Sequence, residues 1–355
     1  MKIVFTISQL GGGGAERVVT LLSGKLSELG HDVSLITLLK RKIVYPLNPN
    51  VNLIELNCKN SRFFGSVEQI KALHKCYVSE KPNVIVSFLP VVNMTAILAK
   101  SGVGCKIIVS ERNDPYQNPR KKVVRMMRDF LYRFSDGFVF QTKDAQDYFG
   151  KYAQSRGIVI ANPLAENLPE PFCGTRRKVF VSAVRLEPQK NLEMLIDAFA
   201  KFSAEYKDYT LEIYGEGPQR DLLERKIAKL GLENRVFLKG FSKQVHQQIR
   251  DAAAFVLPSN YEGMSNSMLE ALALGVPVIS TDHPIGGARM FIENGVNGIL
   301  TRVGDTEEMH QALRFAAENP SKMQWMARNA ERIREIISGD NIVHIWVNYI
   351  EQIYQ

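Results

Sequence analysis

The stretch Pro258–Ser280, PSNYEGMSNSMLEALALGVPVIS, decides how this chain is read. It runs from a strand end through a turn of small residues into a short helix, then through Gly-Val-Pro into another strand. Two carboxylates, Glu262 and Glu270, stand at its sides, and Gly263, Met264 and Ser265 lie between them, followed by Asn266 and Ser267. A run of that kind presents backbone N–H groups. A helix opening just after it adds free donors and the positive end of a dipole, which suits an anion such as a diphosphate. Glu270 admits two readings. Ser267-Met268-Leu269-Glu270 fits the S-x-x-E capping box, and the same carboxylate could instead accept bonds from a ligand's hydroxyls. Glu262 lies in the preceding loop, where capping is less natural.

Outward from this stretch, strand-like and helix-like segments alternate along the whole chain. Lys2–Ser8 reads as an apolar strand, Gly11–Gly14 as a tight turn, Ala15–Leu29 as a helix and Asp32–Leu39 as a second strand. Further strands are expected at Val84–Phe88, Lys106–Ser110, Gly137–Gln141 and Gly157–Ile160. The segment Asn162–Thr175, rich in Pro and polar residues, is the best linker. The alternation then restarts, with strands at Lys178–Ala183, Thr210–Tyr214, Arg235–Lys239, Ala254–Leu257, Val276–Ser280 and Gly298–Thr301, and helix from Asp305 onward. The expected class is α/β: two Rossmann-like β/α/β domains facing each other across a cleft, residues 1–165 and 166–338. A C-terminal helix, 339–355, is expected to pack back towards the first. The glycine spacing is not G-x-G-x-x-G, so a dinucleotide reading is weak.

With 355 residues there is material for two cores. Four scattered cysteines form neither a disulfide frame nor a zinc site, which favours a reducing compartment and a cytoplasmic location. The opening strand does not read as a secretory signal. Residues up to Phe172 carry 23 Lys+Arg and 14 Asp+Glu, or +9, and the remainder carries 22 and 23, or −1. A basic first half points to an anionic partner there or to a solvated surface, with nucleic acid disfavoured for want of a reading motif. Within it Asn118–Phe134, NPRKKVVRMMRDFLYRF, mixes six basic residues with Val123, Val124, Met126, Met127, Phe130, Leu131 and Phe134. That pattern fits a helix lying on a membrane surface, peripheral on its inner face, or an ordinary helix packed on the first sheet.

A diphosphate needs cations or N–H donors. The chain has no D-x-D pair to hold a metal, so no cofactor or metal is expected. Arg185 and Lys190, in VRLEPQKN at the carboxyl end of the second half's first strand, are the substitute: a planar fork and a flexible point charge.

At this point a resemblance enters. The spacing from Glu262 to Glu270 matches the E-x7-E motif of retaining GT-B glycosyltransferases, and GMSNSMLEALALGVPVIS resembles the surrounding signature of the GT4 family. VRLEPQKN is similar to that family's Arg-x4-Lys element, GGGAER to its N-terminal glycine loop, and IYGEGPQRDLLERKIAKLGLENRVFLKGF to its nucleotide-base region. The matches fall in the family's order and span the chain.

The resemblance implies a metal-independent retaining transferase that moves a sugar from a UDP-sugar to a glycan or lipid-linked glycan of a bacterial surface. It implies that Glu270 binds the ribose hydroxyls and that Glu262 contacts the transferred sugar, with the N–H groups of Gly263, Met264 and Ser265 nearby. Arg185 and Lys190 would hold the diphosphate, Gly14 would bring backbone against a phosphate, and the base would lie near Gly215, Gly217 and Phe241. In one place the chain departs from the pattern: where many relatives carry a His after a strand like IIVSERND, this chain has Arg112. An arginine stays protonated and cannot act as a base, but it can bind an anion. The competing readings are a GT-B-fold epimerase, which would need acid/base groups although no histidine adjoins these motifs in sequence, and a binding module without catalysis.

Overall fold

The computed structural model describes residues 1–58 and 67–355. They form two compact units, Met1–Pro163 with Gly339–Gln355, and Leu164–Ser338.

The N-terminal unit is built on seven strands: β1 (Lys2–Ile7), β2 (Asp32–Thr37), β3 (Asn52–Glu55), β4 (Val84–Phe88), β5 (Lys106–Ser110), β6 (Gly137–Phe140) and β7 (Gly157–Val159). All pair in parallel, in the order β3-β2-β1-β4-β5-β6-β7. Runs such as VIVSF in β4 are buried at every position, as a sheet covered on both faces requires. The edge strand β3 escapes the sequence reading because NLIE is half exposed and neither uniformly apolar nor alternating. The last helix, Gly339–Tyr354, completes this unit. Trp346 is fully buried and stacks on Phe88 of β4 at 5.9 Å. The Tyr349 hydroxyl accepts from the Phe138 N–H at 2.8 Å and donates to the Arg156 carbonyl at 2.5 Å.

The expected helix Asn118–Phe134 is shorter than its pattern. It spans Lys122–Leu131 and continues as one 3-10 turn, Tyr132–Phe134. Arg128, read as part of its basic face, is wholly buried. Its guanidinium donates to the carbonyls of Pro115 at 3.1 Å and Asn118 at 2.6 Å, and pairs with Asp129 at 2.8 Å. It also lies over the rings of Tyr148 and Phe149. The orphan carbonyls of an irregular loop are stronger partners for a fork-shaped donor than water would be at that depth.

The C-terminal unit repeats the plan with β8 (Arg177–Ala183), β9 (Thr210–Tyr214), β10 (Val236–Gly240), β11 (Ala252–Leu257), β12 (Val278–Thr281) and β13 (Ile299–Thr301). Its order is β10-β9-β8-β11-β12-β13, again parallel. The order reverses between β8 and β11, so loops leaving the carboxyl ends of these neighbours diverge and open a crevice, the usual place for ligands in such sheets. The helical tail after Asp305 is divided into Thr306–Glu318, Pro320–Ala330, Ile333–Ile336 and the last helix.

Candidate active site

The two motif loops leave the two strands at this switch point. Arg185 and Lys190 follow β8, and Pro258–Ser265 follows β11. They are laced together. The Asn260 N–H donates to the Gln189 carbonyl at 2.8 Å, and Asn191 Nδ2 to Asn260 Oδ1 at 2.9 Å. Gln189 Nε2 donates to the Tyr261 carbonyl at 2.8 Å and to Glu262 Oε2 at 3.2 Å.

Glu262 is almost fully buried, and its Oε1 forms an ion pair with Lys190 while accepting from the Ser259 hydroxyl at 2.8 Å. Burial pushes its carboxyl up, but Lys190, His283 and the Ser259 hydroxyl outweigh that and hold it below the ordinary carboxylate value. Lys190 and Glu262, read separately as a diphosphate ligand and a sugar ligand, are thus brought together, both buried. Arg185 is different: it is 69% exposed and, among the described residues, paired only with Glu187, at 3.1 Å. It is the accessible cation of the pair.

Gly263, Met264 and Ser265 follow Glu262 and lead into the helix Asn266–Ala273, whose N-cap is Ser265. The capping-box reading of Glu270 fails here. The helix begins one residue before Ser267, the Ser265 cap hydroxyl meets the Ser267 hydroxyl at 3.2 Å rather than a backbone N–H, and Glu270 lies in the second turn. Its Oε2 instead accepts from His246 Nε2 at 2.8 Å, across from the helix Val245–Ile249. Gly287 backs this loop: a Cβ there would sit 1.9 Å from the Gly263 carbonyl oxygen, so only glycine allows the approach.

His283, between β12 and this glycine, is fully buried beside Glu262. Its Nδ1 lies 3.3 Å from the Pro284 carbonyl, and Nε2 has no partner among the described residues. Burial pushes the imidazole down against the pull of Glu262, so it is neutral at pH 7. The sequence reading found no histidine by the motifs. The fold supplies two, His246 and His283: His283 stands two residues past the end of β12, and His246 lies in the short helix Val245–Ile249 with no sequence signal of its own.

Gly215 and Gly217 follow β9 and press against the loop that carries Arg185. A Cβ at Gly215 would lie 1.9 Å from the Val184 carbonyl oxygen, and one at Gly217 2.4 Å from that of Leu186. Gly215, at φ +137°, donates its N–H to the Gly240 carbonyl at 2.9 Å. Phe241, next after β10, is 67% exposed and available for stacking beside these glycines.

In the N-terminal unit the glycine loop ends at Gly13, the N-cap of the helix Gly14–Glu28. The Gly13 N–H donates to the Glu16 carboxylate at 2.6 Å, so an internal anion occupies the first donor of that turn, and Gly14 is the first helical residue. Arg112, two residues past β5, is buried against the Phe88 ring at 5.3 Å and donates from Nη2 to Asn162 Oδ1 at 2.6 Å. Its Nε and Nη1 have no partner among the described residues, and burial pushes the guanidinium down to about 9, still charged at neutral pH. Its neighbour Glu111 is pushed up to about 7 by burial, against Arg128 and the Tyr132 hydroxyl, 3.0 Å away. Among the described residues no group of three or more His, Cys, Asp or Glu side chains could hold a metal ion.

Comparison with known proteins follows the same division. A model described as glycosyl transferases group 1 matches residues 166–333, and one described as a glycosyl transferase 4-like domain matches 13–163. A Campylobacter jejuni protein named GalNAc-alpha-(1->4)-GalNAc-alpha-(1->3)-diNAcBac-PP-undecaprenol alpha-1,4-N-acetyl-D-galactosaminyltransferase is 25% identical over 99% of both chains. A second protein of that organism, named N-acetylgalactosamine-N,N'-diacetylbacillosaminyl-diphospho-undecaprenol 4-alpha-N-acetylgalactosaminyltransferase, is 28% identical over 94% of both. Among solved structures, TarM superposes with a TM-score of 0.84 at 14% identity over 98% of each chain. Anabaena Alr3699/HepE, in complex with UDP and glucose, superposes at 0.86 and 20% identity over 99% of this chain and 100% of that one. These structural likenesses show the fold, which is GT-B. With both halves matched in order by the family's two models and full-length relatives named as transferases of one sugar to another, the chain belongs to the GT4-like, group 1 glycosyltransferases.

Proposed function

We propose that the protein is a metal-independent, retaining glycosyltransferase that moves a sugar from a UDP-sugar to a lipid-linked glycan. The observation that carries this reading is the pairing of the two motif loops at the β8/β11 switch point, with exposed Arg185 beside the buried Lys190–Glu262 pair. The donor diphosphate lies against Arg185 and the N–H groups of Gly263, Met264 and Ser265. Glu270, oriented by His246, takes the ribose hydroxyls, and the base stacks near Phe241. Glu262 faces the transferred sugar, held ionised by Lys190.

In the reaction the bond from the sugar's anomeric carbon to the leaving phosphate oxygen breaks, and a bond from that carbon to the acceptor oxygen forms on the same face. The acceptor's hydroxyl proton goes to the departing phosphate. Charge therefore grows on the diphosphate, where a fixed guanidinium and oriented N–H groups stabilise it. The relatives named for diphospho-undecaprenol acceptors support a lipid-linked acceptor, and a neighbour solved with UDP supports the donor.

The test is purified protein with a panel of UDP-sugars, a lipid-diphosphate glycan and EDTA. Transfer with the anomeric configuration kept, unaffected by EDTA, is the expected result. Conversion of the UDP-sugar to another UDP-sugar without acceptor would mean an epimerase instead, and binding without turnover a module without catalysis.

A further inference from the structure

Arg112 is a buried charge without a counter-charge. Phe88 closes β4, Arg112 stands two residues past β5, Gln141 follows β6 and Asn162 lies three residues past β7, and these strands are consecutive neighbours in the first sheet. The four side chains gather at its carboxyl edge, where parallel sheets hold their ligands. Arg112 is 8% exposed and the other three less. Its Nη2 donates to Asn162 Oδ1, which also accepts from Gln141 Nε2 at 2.8 Å, and the guanidinium lies over the Phe88 ring. Nε and Nη1 are donors with no partner among the described residues. The acid beside it in the chain, Glu111, is engaged by the Tyr132 hydroxyl and by Arg128.

Burial alone acts on the ionisation of Arg112, so no acid among the described residues offsets its charge. A ring face and an amide oxygen do not neutralise a guanidinium, and a buried charge left in that state is costly. A methionine would fill the space without that cost. The missing negative charge therefore belongs to a ligand. One guanidinium matches the single charge of a carboxylate rather than a phosphate dianion, and the side chains it touches, Phe88 and Asn162, bring no second cation. Gln141 Oε1 is also without a partner among the described residues. As an acceptor it suits a hydroxyl close to that carboxylate. Guanidinium and amide oxygen together fit a hydroxy acid.

We propose that Arg112 and Gln141 form a subsite for the carboxylate and a ring hydroxyl of a sugar acid, so that a substrate of this protein carries a uronic acid. This rests on the transferase reading above and names a class of substrate for it. The part of Arg112 left exposed is the side from which the acid reaches it. A neutral hexose in the same place leaves the guanidinium unpaired, so the subsite selects against it as well as for the acid. The acid belongs either to the donor, as a UDP-linked uronic acid, or to the acceptor glycan.

The experiment is isothermal titration of the full chain with two series. One is the methyl glycosides of glucuronic acid, galacturonic acid and glucose, and the other is UDP, UDP-glucuronic acid, UDP-galacturonic acid and UDP-glucose. At least one acid should bind about tenfold or more tighter than its neutral counterpart, the weight of one charge-assisted hydrogen bond. Arg112→Met should erase that preference, leave the affinity for UDP unchanged and melt no lower than the wild type, because it removes an uncompensated charge. Arg112→Lys should keep part of the preference. A preference confined to the UDP-linked series supports the subsite and puts the acid in the donor. A preference among the methyl glycosides with UDP already bound supports it and puts the acid in the acceptor. No preference in either series overturns the proposal, and so does one that survives in Arg112→Met. A melting temperature of Arg112→Met well below that of the wild type overturns it too, because the guanidinium would then be a packing element. The methyl glycosides need no nucleotide, so failure to bind UDP would count against the transferase reading alone.

Discussion

Lys190 and Glu262 are 72 positions apart and share one buried ion pair, each almost closed to solvent. The pair joins the loop after β8 to the loop after β11, so it sets the distance between the two motifs as well as the ionisation of the carboxylate. A buried pair contributes little net stability relative to an apolar pair of similar size, but breaking it by removing one member is costly.

The first prediction follows. Glu262→Gln should destabilise the C-terminal unit by about 3 kcal/mol or more, because the Lys190 ammonium is left buried without its counter-charge. The double variant Lys190→Met/Glu262→Leu should recover much of that loss while remaining inactive. Urea unfolding of the three proteins measures the first effect and sugar transfer the second. Equal stability of Glu262→Gln and wild type would show that the pair is not closed to water.

Arg185 should behave in the opposite way. Being exposed and paired with Glu187 at the surface, it contributes little to folding. Arg185→Ala should leave the melting temperature within a degree or two and lower kcat by about a hundredfold or more, the usual cost of removing one fixed donor from a developing anion. A variant with near wild-type kcat would remove Arg185 from the site.

His246 is a positioning residue for Glu270. His246→Ala should raise the KM for the nucleotide sugar by about tenfold, a charge-assisted hydrogen bond's worth, with kcat nearly unchanged. His246→Gln, which can still donate to the carboxylate, should restore most of it. Isothermal titration with UDP gives the same comparison without turnover, and a loss confined to kcat would contradict the assignment.

Glu111 gives a pH dependence with a definite sign. Its carboxyl, pushed up to about 7 in the fold by burial, has an ordinary value of 4.5 in the unfolded chain. Between these values the folded protein holds a proton that the unfolded chain has released, so stability from this group falls as pH rises from about 4.5 to 7 and stays low above that. Melting temperatures at pH 5.5 and 8 should therefore drop further for wild type than for Glu111→Gln. Equal drops would place the carboxylate in contact with water.

Much of the fold is legible in the sequence because parallel strands buried on both faces are written as near-continuous apolar runs, as in VIVSF and KIVFTI. The edge strand Asn52–Glu55 is not, because one side of it has no neighbour to demand such a run. At the site, the two motif loops can be located because small residues and paired carboxylates cluster there. What cannot be read is which of those groups touch. Ser267 looks like the cap, but the helix starts at Asn266 and leaves Glu270 to His246, a residue with nothing distinctive around it in sequence. Arg128 has the spacing of a surface charge and points inward, since only the path of the preceding loop decides where its carbonyl partners lie.

The helix Gly339–Tyr354 carries a consequence for biosynthesis. The wall that Trp346 and Tyr349 build against β4 and β6 leaves the ribosome only after the whole of Leu164–Ser338, although the sheet it covers precedes that unit in the chain. The unit spanning Leu164–Ser338 has its entire sequence in hand earlier. During translation the half that starts first must therefore wait, its apolar sheet face open, while the half that starts second can finish, so truncation near the C-terminus should injure the opening domain and spare the later one.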